Sequence, residues 1–431
     1  MAAKTVPEHS SGTVSCFLGE ICYNEENRIS KEMENSMITK EAVLRLAGEC
    51  APRLREIWAD LHSHPELGFE EVRTAGMVAA CLRELGIETE ENVCGTGVVG
   101  TIRGGLPGGT ILLRADMDAL SVTEATGLAC ASLAPGKMHA CGHDAHTTWL
   151  LGAAMILSEL REQLHGTVKL MFQPGEEVFG GAQGMIEAGI LEDPEVDMAL
   201  GAHVTPRFDA GVYHIQSGTI TANPDFFTLR LYGRGAHGSE PQSAVDAINM
   251  GVKVYELLQT FVSRLSSPSQ EVVLSVCTFH SGTSRGAIPG ECELVGTVRS
   301  FRQEVREQAK QFIEDCAKAV TGLYGGRYEY EYEMVCPSVE NDEELTRRVQ
   351  ALTAELLGPQ AVVTQAERFM GGEDFCLISR RVPSVYLFVG CRNDARFPAV
   401  SLHNPAFRLD ESVLARTAAV LAYNTRLFLE P

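Results

Sequence analysis

The hydrophobic pattern along the first half of the chain predicts alternating helices and strands. Apolar residues recur at helical spacing in three stretches, 39–62, 73–85 and 147–160. Short apolar runs that are typical of buried strands cover 97–103, 110–114, 166–172 and 196–204. Because helices and strands alternate, we predict an α/β fold for this part of the chain.

The pattern changes after about Gly211. Strands are predicted over 226–231, 271–279, 291–301 and 327–334, and helices over 243–265 and 303–323. This β-α-β-β-α-β order is typical of a compact, ferredoxin-like α+β unit. A helix over 341–357 and a strand over 385–389 then return to the first fold. We therefore predict one α/β domain, residues 37–212 and 335–431, interrupted by a smaller α+β domain over 213–334.

Composition and charge exclude several classes of protein. The 36 basic and 57 acidic residues give a net charge of −21, which repels nucleic acid. No run reaches the roughly 18 apolar residues of a membrane span. Residues 1–36 lack a secretory signal, and their polar composition predicts a disordered extension. The 13 cysteines are scattered without a CxxC pair, which favours a reducing, cytoplasmic location.

The densest chemistry lies in residues 138–146, which hold one thiol, three imidazoles and one carboxylate. In an extended segment, Cys141 and His143 point the same way and can grip one divalent cation. A buried cysteine beside ordinary histidines at a helix start is the alternative. The density of donor groups favours a metal site.

Polar residues also follow three predicted strands, where α/β proteins place their active sites. Asp118 follows the run 110–114 and is suited to orient a metal-bound histidine. Glu176 and Glu177 follow the run 166–172. In an extended segment they face opposite ways, so that one can bind metal while the other takes a proton. His203 ends the run 196–204, and its position at a third such strand end favours a metal ligand over a core histidine.

Two further histidines are less constrained. His237 lies in a glycine-rich turn, from which it can swing toward a ligand, although a chance histidine in such a turn fits almost as well. His403 lies in a polar turn, and its spacing alone assigns it no role.

Taken in order along the chain, these segments resemble the M20 metallopeptidase family. The resemblance extends from about Met37 to the C-terminus and is greatest for the amidohydrolases of N-acyl amino acids, including hippurate hydrolases, aminoacylases and auxin-conjugate hydrolases. The segments that carry it are 61–70, 114–120, 138–146, 172–177, 235–239, 372–375 and 402–403.

The resemblance implies a two-metal catalytic α/β domain and a smaller domain that acts as a lid and in dimerisation. It implies two divalent ions per subunit, zinc, manganese or cobalt. Glu176 matches the general base, Asp118 the carboxylate that orients a metal-binding side chain, and His237 the lid histidine that steadies the tetrahedral intermediate, sometimes in the neighbouring subunit's site. The positions that match metal ligands are Cys141, His143, Glu177, His203 and His403.

We therefore expect a cytoplasmic, homo-oligomeric hydrolase that cleaves the amide bond of small N-acyl amino acids with a metal-activated water. A dipeptidase or carboxypeptidase of the same family is the first alternative. A thiol hydrolase using Cys141 and a non-catalytic binding protein are the others. The lid motif that reads Asn-x-Ile-Pro in many relatives is Arg285-Gly286-Ala287-Ile288-Pro289 here, and Gly372 replaces a common Ser; these two departures leave the acyl group and the amino acid open. Ser121 also departs from the family, since relatives often carry Pro at its position.

Overall fold

The structure is a computed structural model that describes Met1 and residues 38–428. Apart from Met1, the predicted disordered extension over 1–36 lies outside the described residues. The helices are α1 (Lys40–Ser63), α2 (Val72–Glu84), α3 (His143–Glu159), α4 (Gly181–Glu187), α5 (Ala247–Thr260), α6 (Gln303–Tyr324), α7 (Glu343–Leu357), α8 (Cys376–Ser379) and α9 (Ser412–Asn424). The longer strands are β1 (Glu88–Val93), β2 (Gly97–Arg103), β3 (Leu106–Asp116), β4 (His165–Gln173), β5 (Met198–Asp209), β8 (Asn223–Tyr232), β10 (Val272–Ser281), β12 (Glu291–Ser300), β13 (Arg327–Met334) and β16 (Ser384–Arg392). Two-residue strands are β6 (Tyr213–His214), β7 (Gly218–Thr219), β9 (Ala236–His237), β11 (Ala287–Ile288), β14 (Glu340–Asn341) and β15 (Val362–Val363).

An eight-stranded sheet organises the larger part of the molecule, with the strand order β1-β2-β4-β3-β5-β16-β6-β15. Its four central strands, β4, β3, β5 and β16, run parallel to one another. Strands β1 and β2 add antiparallel pairs on one side. Because the central strands are parallel, their carboxyl ends lie at one edge of the sheet, where the site described below is built.

Helices α1, α3 and α9 pack together on the large hydrophobic core beside this sheet. Helix α1 begins where the Thr39 side chain accepts a hydrogen bond from the Ala42 amide, the usual polar cap of a helix start. Helix α3 is buried along almost its whole length, and Trp149 within it is fully buried. Burial of this apolar helix fixes the position of its first residue, His143.

The smaller unit is a four-stranded antiparallel sheet with the order β10-β12-β8-β13. Helices α5 and α6 pack against it, and a separate hydrophobic core forms from alternate residues of β8, such as Phe227, Leu229 and Leu231. The predicted β-α-β-β-α-β order and the α/β fold class are confirmed. The domain boundaries at 212/213 and 334/335 remain a prediction. Among the described residues, no helix is both long and apolar enough to cross a membrane.

Candidate active site and metal centre

Three parallel strands deliver polar side chains to the same edge of the large sheet. Strand β3 leads into Asp118, β4 leads into the turn that holds Glu176 and Glu177, and β5 carries His203 just beyond Gly201, where its pairing with β3 ends. Helix α3 places His143 beside them. The sheet topology thus explains why residues far apart in sequence meet.

The structure brings all five predicted metal-ligand positions together. The Cys141 Sγ lies 3.4 Å from His203 Nε2 and 3.2 Å from His403 Nε2. The Glu177 Oε1 lies 4.0 Å from His143 Nε2 and 3.4 Å from His403 Nε2. Ligand atoms of Cys141, His143 and His203 lie within 4.8 Å of one another, and so do those of Cys141, Glu177 and His403. The donor atoms therefore form two overlapping groups that share the thiol.

The local geometry around Cys141 differs from the sequence prediction. The prediction that Cys141 and His143 share one side of an extended segment is wrong, because Gly142 has a left-handed φ of +86° and His143 is already the first residue of α3. A Cβ added at Gly142 would lie 2.5 Å from Val204 Cγ2. Glycine therefore suits this position for two reasons: it adopts a positive φ without strain, and it has no Cβ to clash with Val204.

Asp118 fixes two of the five donor residues. Its Oδ1 lies 3.1 Å from His143 Nδ1, and its Oδ2 accepts a hydrogen bond of 2.9 Å from the Glu177 amide. Because an ionised carboxylate only accepts, a neutral His143 ring carries its hydrogen on Nδ1 and keeps the lone pair of Nε2 for a metal ion. Similarly, His203 Nδ1 donates to the Val204 carbonyl at 2.7 Å, which leaves its Nε2 free.

The chemistry of these residues fits divalent metal ions. Within the part of the chain that the structure describes, His143 Nε2 and Glu177 Oε1 are buried and have no hydrogen-bond partner. Buried polar atoms are rarely left in this state, and both face other potential ligands. Burial, and then the charges of Glu177 and Glu176, raise the pKa of the Cys141 thiol. A cation among these groups would satisfy the orphaned atoms and stabilise the thiolate.

Glu176 lies beside the donor cluster and lines the same cavity as Glu177. The two follow β4 in a turn rather than in extended backbone, so the expectation that they face opposite ways does not hold. Burial raises the pKa of Glu176 well above its usual range, and the charges of Glu373 and Glu177 raise it further. A carboxylate in this environment is suited to hold a proton during a reaction.

The sequence did not predict a buried ion cluster behind Glu176, although its members Glu373 and Asp374 lie in the 372–375 segment that carries part of the family resemblance. The fully buried Arg114 guanidinium lies 2.7 Å from Asp116 Oδ2 and 3.0 Å from both Glu373 Oε1 and Asp374 Oδ1. Its Nε also donates to Gln173 Oε1 at 2.9 Å. An arginine inside an apolar strand was the available signal, because a buried arginine requires acidic partners.

A cavity of about 700 Å³ opens over the cluster. Much of its wall is apolar and includes Phe179, Phe369, Met370, Val400 and Leu402. Two arginines also line the cavity, Arg207 from β5 and Arg299 from β12 of the smaller sheet. Arg299 makes no ion pair with any described residue, and burial lowers its pKa. The cavity thus combines cations with apolar surface.

His237 is not brought to this cavity. It lies exposed on β9, where its Nδ1 is 2.7 Å from Ser239 Oγ, and it is not among the residues that line the cavity. A role for His237 within its own chain's site therefore has no geometric support in this arrangement.

The site combines a buried cluster of metal-binding side chains with an adjacent carboxylate at the edge of an α/β sheet. This combination is typical of hydrolases of the metallopeptidase class. Residues 112–425 match the family described as peptidase family M20/M25/M40. The chain belongs to this family, as its resemblance predicted.

Relatives and solved structures agree with this assignment. The chain is 38% identical over 363 residues to thermostable carboxypeptidase 1 of Saccharolobus solfataricus, covering 83% of this chain and 91% of the relative. It is 39% identical over 308 residues to an N-acyl-L-amino acid amidohydrolase of Geobacillus stearothermophilus, covering 71% and 83% respectively. The crystal structure of Bacillus subtilis YXEP, described as a dinuclear metal binding peptidase from the M20 family, matches with a TM-score of 0.77 and 33% identity, covering 88% of this chain and 98% of that chain.

Proposed function

We propose that this protein is a two-metal amidohydrolase that releases an amino acid from small N-acyl amino acids. The observation that carries the proposal is the convergence of five donor residues in a cavity that also holds Glu176. The residues proposed to hold the two divalent ions are Cys141, His143, Glu177, His203 and His403.

The donor set bears on the identity of the ions. A thiolate ligand favours zinc or cobalt, whereas imidazole and carboxylate ligands leave manganese compatible. When bound, such ions lower the pKa of a water and polarise the substrate carbonyl.

Glu176 is proposed to take the proton of the attacking water and to return it to the departing amine. Its position in the cavity, next to Glu177, gives it access to both partners. Asp118 holds the His143 ring and the Glu177 backbone, so that both side chains keep their orientation through the reaction.

The cavity supports a substrate with a free carboxylate and an apolar acyl group. Arg299 and Arg207 offer cationic groups, and an unpaired, partly buried guanidinium gains most by binding an anion in bidentate fashion. Phe179, Phe369 and Met370 offer an apolar surface for the acyl group. A peptide C-terminus presents the same carboxylate, so a carboxypeptidase is the second candidate function. The similarity to thermostable carboxypeptidase 1 also supports this candidate.

The thiol hydrolase alternative has weaker support. A nucleophilic cysteine needs a lowered pKa, whereas burial and the nearby carboxylates raise the pKa of Cys141. That mechanism also leaves Glu177, His203 and His403 without a task.

We also propose a homodimer formed through the smaller sheet. Strand β10 is an edge of that sheet, and it carries the exposed Phe279. Helix α5 exposes Ile248, Val252 and Tyr255. A second copy seated on this surface would cover these apolar groups and is the proposed source of His237 for the site.

We further propose a cytoplasmic location. The eleven cysteines among the described residues are free, which supports a reducing environment.

The proposal is tested with purified enzyme that is stripped by a chelator and reloaded with zinc, manganese or cobalt. We expect chelation to abolish hydrolysis and reloading to restore it, with N-acetyl and N-benzoyl amino acids cleaved faster than dipeptides. Glu176→Gln should lower kcat by about 10²- to 10⁴-fold while elemental analysis still finds two ions per subunit. Full activity in the chelated enzyme, or in Glu176→Gln, would refute the mechanism.

A further inference from the structure

The backbone ladder between β3 and β5 stops before it reaches the donor cluster. Parallel pairing runs from Ile111 opposite Met198 to Arg114 opposite Gly201. Both strands continue, β3 to Asp116 and β5 to Asp209. On its other side β5 remains paired with β16 through Val204 and beyond. The segment of β5 that carries His203 therefore lacks backbone support from β3.

The side chain of His146 bridges this gap. Its Nε2 accepts a hydrogen bond of 3.0 Å from the Val204 amide, and its Nδ1 lies 2.5 Å from Asp116 Oδ1. The ring is fully buried and stacks on Trp149 at a centroid distance of 4.6 Å and an interplanar angle of 24°. One imidazole thus links the end of β3 to a segment of β5 with which β3 no longer pairs directly.

The hydrogen-bond directions fix the state of this ring. A backbone amide only donates, so Nε2 of His146 accepts, and the remaining ring hydrogen is on Nδ1. Asp116 receives it on Oδ1, while Arg114 donates to the other oxygen at 2.7 Å. The buried ion cluster therefore sets the ring orientation that Val204 requires.

The link reaches His203 through the next peptide. The Val204 amide that His146 holds belongs to the peptide bond that joins His203 to Val204. The Val204 carbonyl accepts the hydrogen bond from His203 Nδ1, and the His146 and His203 rings meet edge to face at 4.5 Å. Displacement of this segment would turn His203 Nε2 away from Cys141 Sγ, which lies 3.4 Å from it.

We propose that His146 is a positioning residue that replaces the missing β3–β5 backbone bond and thereby aims His203 at the metal pair. The proposal rests on the metal centre of the proposed function. It assigns a task to the third histidine of the 138–146 segment, which is not one of the five proposed ligands.

The test compares two variants of similar shape that differ in one acceptor. Gln and Met have side chains of similar length, but only the Gln amide oxygen can accept the Val204 hydrogen bond well. His139→Met is the control, because His139 is also buried in this segment, and its ring nitrogens have no hydrogen-bond partner among the described residues. Zinc affinity is measured by chelator competition, and the thiolate-to-cobalt absorption of cobalt-loaded protein reports the ligand geometry.

We expect His146→Met to weaken zinc binding by about 10- to 100-fold and to shift the cobalt spectrum. His146→Gln and His139→Met should remain close to the wild-type protein in both measurements. Wild-type behaviour of His146→Met, or equal losses in all three variants, would overturn the proposal. If His146→Met does not fold, His146→Asn replaces it, because the shorter amide reaches Asp116 but not Val204. A wild-type protein that binds no zinc or cobalt would instead refute the proposed function.

Discussion

Replacing Asp118 with Asn removes one acceptor at a point where the structure needs two. In the native site the two carboxylate oxygens receive the hydrogens of His143 Nδ1 and of the Glu177 amide. An Asn side chain offers one acceptor and one donor. Either the His143 ring must change tautomer, which places a hydrogen on the atom aimed at the donor cluster, or the Glu177 amide loses its partner.

The expected loss of metal affinity in Asp118→Asn follows from the burial of this carboxylate. Asp118 is only 1% exposed, so water cannot replace the lost acceptor. A buried donor without a partner costs about 1–3 kcal/mol. If that cost falls on the metal-bound state, metal affinity declines by roughly 5- to 150-fold, since 1.4 kcal/mol corresponds to about tenfold.

Asp144 provides a matched control for this experiment. It is also 1% exposed, and its carboxylate likewise serves one histidine, His62 Nδ1 at 2.7 Å, and one backbone amide, that of Ala145 at 2.9 Å. We expect Asp144→Asn to lower thermal stability but to leave zinc affinity near the wild-type value in chelator competition. Zinc affinities that are equal in Asp118→Asn and wild-type protein would refute the assigned role of Asp118.

Three further predictions follow from single contacts. Arg299→Met should raise KM by about 10- to 100-fold with little change in kcat, because it removes a charged hydrogen bond to the substrate carboxylate; an unchanged KM would exclude that contact. Gly142→Ala should lower the free energy of unfolding by more than the about 1–2 kcal/mol that a positive φ costs a residue with a Cβ, since the added Cβ would also contact Val204. Gly136 has a φ of +76° but lies in open space, so Gly136→Ala should cost only the about 1–2 kcal/mol of the backbone conformation when both variants are unfolded with denaturant. Although burial lowers the pKa of His62, neighbouring carboxylates raise it from 6.5 to about 10, so its stabilisation is complete below pH 6.5 and is lost as pH rises through 10. The difference in Tm between wild-type protein and His62→Gln should therefore shrink over that interval, and a constant difference would contradict the assignment.

Much of the site could be predicted from local sequence because parallel strands end at one edge of a sheet. Glu177 and His203 each follow an apolar run, and the topology of such sheets brings these ends together whatever their separation in sequence. Strongly patterned strands were placed accurately, with Gly97–Arg103 and Arg327–Met334 matching the predicted ranges. His403 was predicted to be a metal ligand only through the family resemblance.

Other features depend on contacts that no local pattern encodes. Arg114 meets Asp374 across 260 positions of sequence, so its place in an apolar strand indicates acidic partners, but the local pattern cannot identify which residues they are. Helix α9, Ser412–Asn424, was not predicted; it is buried along most of its length and lacks the clear polar face that marks surface helices. The turn at Cys141 was predicted as extended because the local sequence does not reveal the positive φ of Gly142 or its close approach to Val204.

The separation of 262 positions between Cys141 and His403 has a consequence for biosynthesis. The whole four-stranded unit is translated between them, so the other four proposed ligands leave the ribosome well before His403. Until His403 is synthesised, the nascent chain therefore contains thiol, imidazole and carboxylate groups but not all five of the proposed metal ligands. The complete set of donors can form only after the smaller sheet and His403 have both been synthesised, so scarcity of metal in the cell should leave a metal-free folded pool that is less resistant to proteolysis.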